Sequence, residues 1–187
     1  MAVARSKNLF SPNLISSELQ SVVPKGFILR PLRRSDYDKG FLETLSYLSE
    51  VGDLSRETFE SIFDAMQQAG NMYFTIVLED TATHRVVATG TVVIELKFIH
   101  GGSKAAHLED LVVNKDYQKR GFGRLIHLAR DHIVGEAGCY KGVLDCRNYN
   151  VKFHEKAGYT ATGVYMKKRY DGAPIEDFLL QEPNPRG

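Results

Sequence analysis

Two carboxylates stand side by side in the middle of a stretch that reads as a β-strand. From His107 to Val113 the side chains alternate. His107, Glu109, Leu111 and Val113 fall on one face, and Leu108, Asp110 and Val112 on the other. A charge in mid-strand must be paired or used, because burying it alone is costly. Just downstream comes Gln118-Lys119-Arg120-Gly121-Phe122-Gly123, a turn with two glycines. Phe122, Leu125, Ile126, Ala129, Ile133 and Ala137 then recur at helical three- and four-residue steps. A strand, a glycine turn and a helix N-terminus in that order offer free backbone N–H groups and the positive end of a dipole to an anion. Glycine lets the backbone come close to a phosphate with no Cβ in the way. Lys119, Arg120 and Arg124 add formal positive charge. A diphosphate fits the turn, and the neighbouring carboxylates suit holding an ammonium group and accepting its proton.

The elements that must position these groups follow from the pattern on either side. Residues 1–25 are polar and Ser-rich with Pro12 and Pro24, which predicts a mobile arm with a short helix around 14–22. A first strand is expected over 27–32. A helix then starts at a Ser35 cap, with Asp36 and Asp38 in its first turn and Tyr37, Phe41, Leu45 and Leu48 on its apolar face. A second helix is expected over 57–69, with Phe59, Ile62, Phe63 and Met66 inward and Gly70 as its stop. The β-rich runs 72–79 and 86–98 read as a hairpin, and the Glu109 strand completes a meander. After the long helix come a short strand ending at Asp145-Cys146, a short helix over 148–157 and a last strand over 159–170. The expected organisation is an arm (1–25), one domain (26–170) and a tail (171–187).

Bulk properties narrow the classes. The chain has 187 residues, enough for one domain with a sizeable core. A quarter of them are charged, yet the net charge is only +1, which argues against a dedicated nucleic-acid binder. No apolar run is long enough to span a membrane, and the first residues lack the apolar segment of a secretory signal. The two cysteines, Cys139 and Cys146, would lie roughly 20 Å apart along a strand, beyond disulfide reach. Free thiols suit a reducing compartment, so a cytoplasmic protein is expected. No CxxC or HExxH spacing points to a metal.

Three nucleotide-binding patterns can be compared at the glycine turn. GxxxxGK[ST] is absent, and only the first half of GxGxxG is present. The pattern [QR]xxGx[GA] is matched in full by residues 118 to 123. Here the chain resembles the GNAT superfamily of acyl-CoA-dependent N-acetyltransferases, in which this turn holds the pyrophosphate of coenzyme A. The resemblance implies an α/β (α+β) fold, a mixed central sheet with helices on both faces. Its two central parallel strands, here 107–113 and 142–146, splay apart around the cofactor. Both carry a carboxylate toward their C-terminal ends, where open α/β sheets place their sites.

Further blocks narrow the resemblance: LETLSYLSEVGDLSRETF at 42–59, IELKFIH at 94–100, HLEDLVV at 107–113, GCYKGVLDC at 138–146 and NVKFHEKAGY at 150–159. These are similar to the glucosamine 6-phosphate N-acetyltransferase family. That family implies acetyl transfer from acetyl-CoA to the 2-amino group of glucosamine 6-phosphate, on the route to UDP-N-acetylglucosamine, by a homodimer whose site lies partly at the subunit interface. Carried over by position, Ser49 would touch the sugar. Lys97 and His100, in a segment with Phe98 and Ile99, would meet the sugar phosphate together with Arg169. Glu109, Asp110, Asp145 and Cys146 would line the amino-sugar pocket. Leu111, Val112 and Val113, the turn residues Lys119, Arg120, Gly121, Phe122, Gly123 and Arg124, and Asn150 would hold acetyl-CoA. A phosphomonoester needs charge-assisted donors, and arginine can give two.

The chemistry sets the expected roles. Deprotonating an amine of pKa about 8 at neutral pH costs only ~1.4 kcal/mol, whereas positioning can contribute ~7–11 kcal/mol. Orientation is therefore expected to dominate. Glu109 and Asp145 are the candidates for holding the amine and accepting its proton, unless each is paired with a lysine or arginine. A backbone N–H from Leu111 to Val113 would meet the developing oxyanion. His154 stands where GNAT enzymes commonly have a tyrosine, read as the proton donor to the coenzyme A thiolate. Histidine can donate a proton near neutral pH. Asn150 could instead cap a helix, and Phe153 is expected in the core. The alternatives are a GNAT enzyme for another amine, which the cations at 97, 100 and 169 would repel if the amine were polycationic, or a catalytically silent acyl-CoA-binding module.

Overall fold

β-branched and aromatic residues crowd two successive runs, and these become the middle of a five-stranded sheet. The computed structural model describes residues 7–168. Its strands are β1 (Phe27–Pro31), β2 (Tyr73–Asp80), β3 (Arg85–Leu96), β4 (Lys104–Val113) and β5 (Cys139–Val143). They lie side by side in chain order. β1 to β4 pair antiparallel, and β5 joins β4 in parallel. Ile76, Val77 and Leu78 of β2 are all buried, as are Val86, Val87 and Ala88 of β3. Successive buried residues mean that both faces of the sheet are covered.

The helices are α1 (Ser17–Ser21), α2 (Phe41–Ser46), α3 (Arg56–Gln68), α4 (Phe122–Glu136) and α5 (Val151–Glu155). α4 buries Phe122, Leu125, Ile126, Ala129 and Ile133, the face its spacing predicts. Each large side chain buried there stabilises by ~1.5–3 kcal/mol. α4 reaches the sheet at Gly90 of β3. A Cβ at that position would come within 2.6 Å of Ile126 Cγ2 and 3.0 Å of Arg130 Cδ, so only glycine lets the helix seat.

Two irregularities open the site. β4 and β5 pair from Lys104 with Cys139 to His107 with Val143, and then part. The strand expected over 142–146 is therefore shorter at its C-terminal end. Leu144, Asp145 and Cys146 lie beyond β5 because no ladder is left to hold them. The second irregularity is in β4. Thr91 faces Glu109 and Thr89 faces Val112, so one residue of β3 opposes two of β4, a bulge. Asp110 takes φ +53° there. The alternation predicted through 107–113 breaks at that point: Leu108 and Val112 are buried, but Asp110 is exposed.

Other expectations need correction. The mobile arm is not what residues 7–25 form. Leu9, Phe10, Ile15 and Leu19 are buried in the core, Leu9 N–H donates to Leu32 O at 2.8 Å, and Phe10 packs edge-on against Phe74. The helix expected from Ser35 is two pieces, a 3-10 turn Arg34–Lys39 and then α2, broken at Gly40 with φ +77°. The Asp36 carboxylate, not Ser35, accepts from the entering backbone at Arg33 N–H. α3 starts at its Ser55 cap and buries Phe59 and Phe63, but Ile62 is exposed. Residues 159–168 form no strand. A strand needs a paired edge, and Val164, Tyr165 and Met166 are exposed instead. Residues 169 and 170 lie outside the described residues.

Candidate active site

The parting of β4 and β5, with the α4 N-terminus beside it, leaves a cleft of about 1120 Å³. The side expected to hold the cofactor is built from backbone. Gly121 caps α4 with φ +82° and makes no side-chain cap bond, and no acidic residue occupies the first turn. The N-terminal amides of this fifteen-residue helix therefore face the cleft without a side-chain partner at the cap. A Cβ on Gly121 would touch nothing, so its positive φ rather than crowding demands glycine. Leu111, Val112, Val113, Lys119, Gly121, Phe122, Gly123, Arg124 and Asn150 all line the cleft. Arg120 does not. Its guanidinium stacks over the Tyr117 ring and donates to Asp116 O at 3.3 Å. Asn150 precedes α5 without making a cap bond, which leaves its amide for a ligand. Phe153 is half-exposed rather than in the core, and its ring would lie 3.4 Å from a Cβ on Gly123.

The side expected to hold the acceptor carries the carboxylates. Ser49, Glu109, Asp110, Asp145 and Cys146 line the same cleft. Burial, then the like charges of Asp145 and Asp110, push the Glu109 carboxyl up from its ordinary value, against a pull from His107 and Arg130. Asp110 is open at the cleft surface, yet the protein packed around it desolvates its carboxylate and raises its pKa, with Arg130 opposing. Both carboxylates thus feel Arg130 without a hydrogen bond to its side chain. A carboxylate whose proton affinity is raised toward neutrality suits proton acceptance.

The described residues expected to meet a phosphate are not brought to this cleft. Lys97, Phe98, Ile99 and His100 follow β3 and do not line the cleft. Lys97 pairs with Glu95, whose other carboxylate oxygen is 2.9 Å from His107 Nε2. Phe98 and Ile99 are exposed, and the His100 ring packs on Tyr140 at 4.5 Å. Arg169 lies outside the described residues.

His154 of α5 lines the cleft and is almost buried. Its Nδ1 lies 3.1 Å from His127 Nε2 on α4. Burial, then the nearby His127 and Arg130, pull its pKa below the ordinary histidine value.

Residues 38–159 match the model of a family described as the Acetyltransferase (GNAT) family. The chain belongs to the GNAT family. A "Probable glucosamine 6-phosphate N-acetyltransferase" of Drosophila melanogaster is 41% identical over 149 residues, 78% of this chain and 68% of that protein. "Glucosamine 6-phosphate N-acetyltransferase 1" of Dictyostelium discoideum is 38% identical over 148 residues, 79% of this chain and 94% of that protein. The crystal structure of glucosamine-6-phosphate N-acetyltransferase from Arabidopsis thaliana superposes with a TM-score of 0.74 at 35% identity, over 78% of this chain and 99% of that one.

This GNAT chain also brings to the cleft groups that the sequence did not single out. Arg147, Tyr165 and Lys167 line it from coil and Tyr149 from a single 3-10 turn, where no periodicity marks them. Arg130 of α4 also lines it, and His127 and Asp131 sit behind it on the same helix. A signal for His127 and Arg130 does exist: they lie at helical spacing beside the apolar stripe, where a polar side chain must be buried.

Proposed function

We propose that this GNAT acetyltransferase moves the acetyl group of acetyl-CoA to the 2-amino group of D-glucosamine 6-phosphate. The products are N-acetyl-D-glucosamine 6-phosphate and coenzyme A, on the way to UDP-N-acetylglucosamine in the cytoplasm. The names of its relatives support the acceptor. The single observation that carries the chemistry is Glu109, its carboxyl raised by burial and like charge, placed in the same cleft as an α4 N-terminus without a side-chain cap.

Acetyl-CoA supplies an activated thioester. The residues present fit it: a glycine-capped helix N-terminus for its diphosphate, with Lys119 and Arg124 beside it, and Asn150 for an amide of its arm. Leu111 to Val113, just past the bulge, offer backbone N–H groups to the acetyl oxygen and stabilise the charge that develops there. Glu109 and Asp145 hold the amine of the acceptor in the cleft and take its proton as the C–N bond forms. His154 returns a proton to the sulfur as the C–S bond breaks. Positioning within a ternary complex does most of the work.

The acceptor's phosphate is met by Lys97 and His100, with Arg169. Lys97 and His100 lie away from their own chain's cleft, and the exposed Phe98 and Ile99 beside them suit burial against a second copy. The active form is a homodimer in which this loop completes the partner's site. Thiol release from acetyl-CoA, measured with glucosamine 6-phosphate, glucosamine and a lysine peptide in separate reactions, tests the reading. Turnover with the phosphorylated sugar alone is expected. Turnover with glucosamine or the peptide in its place overturns the acceptor and leaves the acetyltransferase. No turnover with any of the three overturns the reaction.

A further inference from the structure

A histidine on the buried face of an amphipathic helix needs a reason. His127 follows Ile126 and precedes Ala129 and Ile133 on α4, and it is 1% exposed. Leucine would fill such a place at no desolvation cost. His127 instead forms the middle of a chain of polar atoms. Its Nε2 lies 3.1 Å from His154 Nδ1. Its Nδ1 lies 3.3 Å from Asp131 Oδ2, one helical turn on, but outside hydrogen-bonding geometry. The Tyr159 hydroxyl donates to Asp131 Oδ1 at 2.7 Å and holds that carboxylate in place. The chain runs from the cleft, which His154 lines, through the fully buried His127, to Asp131, whose side chain is 37% exposed.

We propose that His127 and Asp131 form a proton relay that links His154 in the cleft to solvent one helical turn along α4. The proposal rests on His154 being the group that returns a proton to the departing sulfur. In the loaded state His127 Nε2–H donates to His154 Nδ1, and His154 carries its proton on Nε2, the nitrogen that His127 does not engage. When the C–S bond breaks, the sulfur takes the Nε2 proton. His154 draws the His127 proton across to its own Nδ1. His127 takes a proton on Nδ1 from water beside Asp131, and the hydroxide left behind is neutralised in solvent by the proton that Glu109 took from the amine and releases. One proton leaves the relay and one enters, so both rings stay neutral and only their tautomers change. With product gone and the cleft open to water, His154 Nε2 is reprotonated and one proton leaves at Asp131, which restores the start.

The groups around His154 suit this neutral exchange better than a standing imidazolium. α4 sets His127 against it and brings the Arg130 charge near, Asp131 meets His127 from the next turn, Tyr159 packs behind His127, and Phe153 is its neighbour on α5. Burial and the Arg130 cation act against a charged His154, as its lowered pKa records. Asp131 is placed to balance charge at His127 only while a proton passes. His127 and Asp131 are positioning residues, since neither lines the cleft.

The test compares His127→Leu, Asp131→Asn and His154→Phe in the full-length protein with acetyl-CoA and glucosamine 6-phosphate. The measurements are kcat, its solvent deuterium isotope effect and the Kd for acetyl-CoA. A general acid contributes about 10²–10⁴ in rate, so loss of its proton supply is expected to lower kcat by about tenfold or more. His127→Leu and Asp131→Asn should both do this with acetyl-CoA affinity unchanged, and should raise the isotope effect as proton return becomes slower. Adding His127→Leu to His154→Phe should cost nothing further, because both act on one step. A normal kcat in both relay variants, with His154→Phe impaired, overturns the relay and leaves His154 as donor. A normal kcat in His154→Phe overturns the donor reading and the relay with it. Losses that add to that of His154→Phe, with no change in isotope effect, mark a packing role and overturn the relay. Should His127→Leu fail to fold, Asp131→Asn decides alone, since its partly exposed side chain keeps its shape.

Discussion

Two arginines are buried among the described residues, and they are treated in opposite ways. Arg30 of β1 is 3% exposed and saturated. Its Nε donates to Glu79 Oε2 at 2.6 Å, and its two terminal nitrogens reach the two Asp36 oxygens at 2.7 and 2.8 Å. Burial works against its charge, but the hydrogen bonds to Asp36 and Glu79 outweigh that, and its pKa rises. Arg130 of α4 is 1% exposed, and its one hydrogen bond within the described residues runs from Nη1 to Glu109 O at 3.2 Å. Its Nε and Nη2 have no partner. Burial pulls its pKa down to about 10, against the opposing charges of Tyr159, Asp131, Glu109 and Asp110. Arg30 ties the first strand to the turn after it and to β2. Arg130 lies under the carboxylates of the cleft. A buried donor left unmade is a cost that structure alone does not explain. Arg30 is tied into the fold, whereas Arg130 is left beside two carboxylates whose charge it offsets.

The largest effect is expected at the saturated arginine. Arg30→Leu leaves Asp36 buried without its partner, which costs about 3–5 kcal/mol and, at ~2–4 °C per kcal/mol for a chain of this size, lowers Tm by about 10 °C. Turnover per folded molecule should stay. Thermal unfolding with a parallel activity assay checks both. A smaller effect of opposite sign is expected at the other. Arg130→Met removes a half-satisfied charge and should raise Tm by about 2–4 °C, the equivalent of ~1 kcal/mol. It should also move the acidic limb of the pH–rate profile upward, because Glu109 and Asp110 lose the cation that opposes their raised pKa values. A fall in Tm as large as that of Arg30→Leu would make the two arginines equivalent.

How much of this was legible beforehand depends on range. The α4 stripe and the glycine turn are local patterns, and the fold follows them closely. Glu109 and Asp145 were marked by their place near strand ends, and the structure brings both into one cleft. The bulge at Asp110 was not legible, since it depends on which β3 residues lie opposite. The docked segment before β1 was misread because its four core residues are scattered among polar ones with no single period. Arg120 carries the right charge in the right hexapeptide, yet it turns to Tyr117. A motif fixes the path of the backbone more tightly than the direction of a long side chain. The links from His127 to His154 and to Tyr159 join residues some thirty positions apart, and only the fold brings them together.

The central claim is that the groups held at a loss under the cleft are there for acetyl transfer, and Glu109→Gln tests it most directly. The folded-state pKa of Glu109 is raised above its unfolded value. Its contribution to stability is therefore fully present at low pH and is lost as pH rises through the folded value, so the ionised carboxylate weakens the fold at neutral pH. Thermal unfolding and thiol release with glucosamine 6-phosphate should be measured on the same sample at pH 7. The account predicts a higher Tm together with turnover lower by about 10²-fold. A lower Tm with unchanged turnover would contradict it.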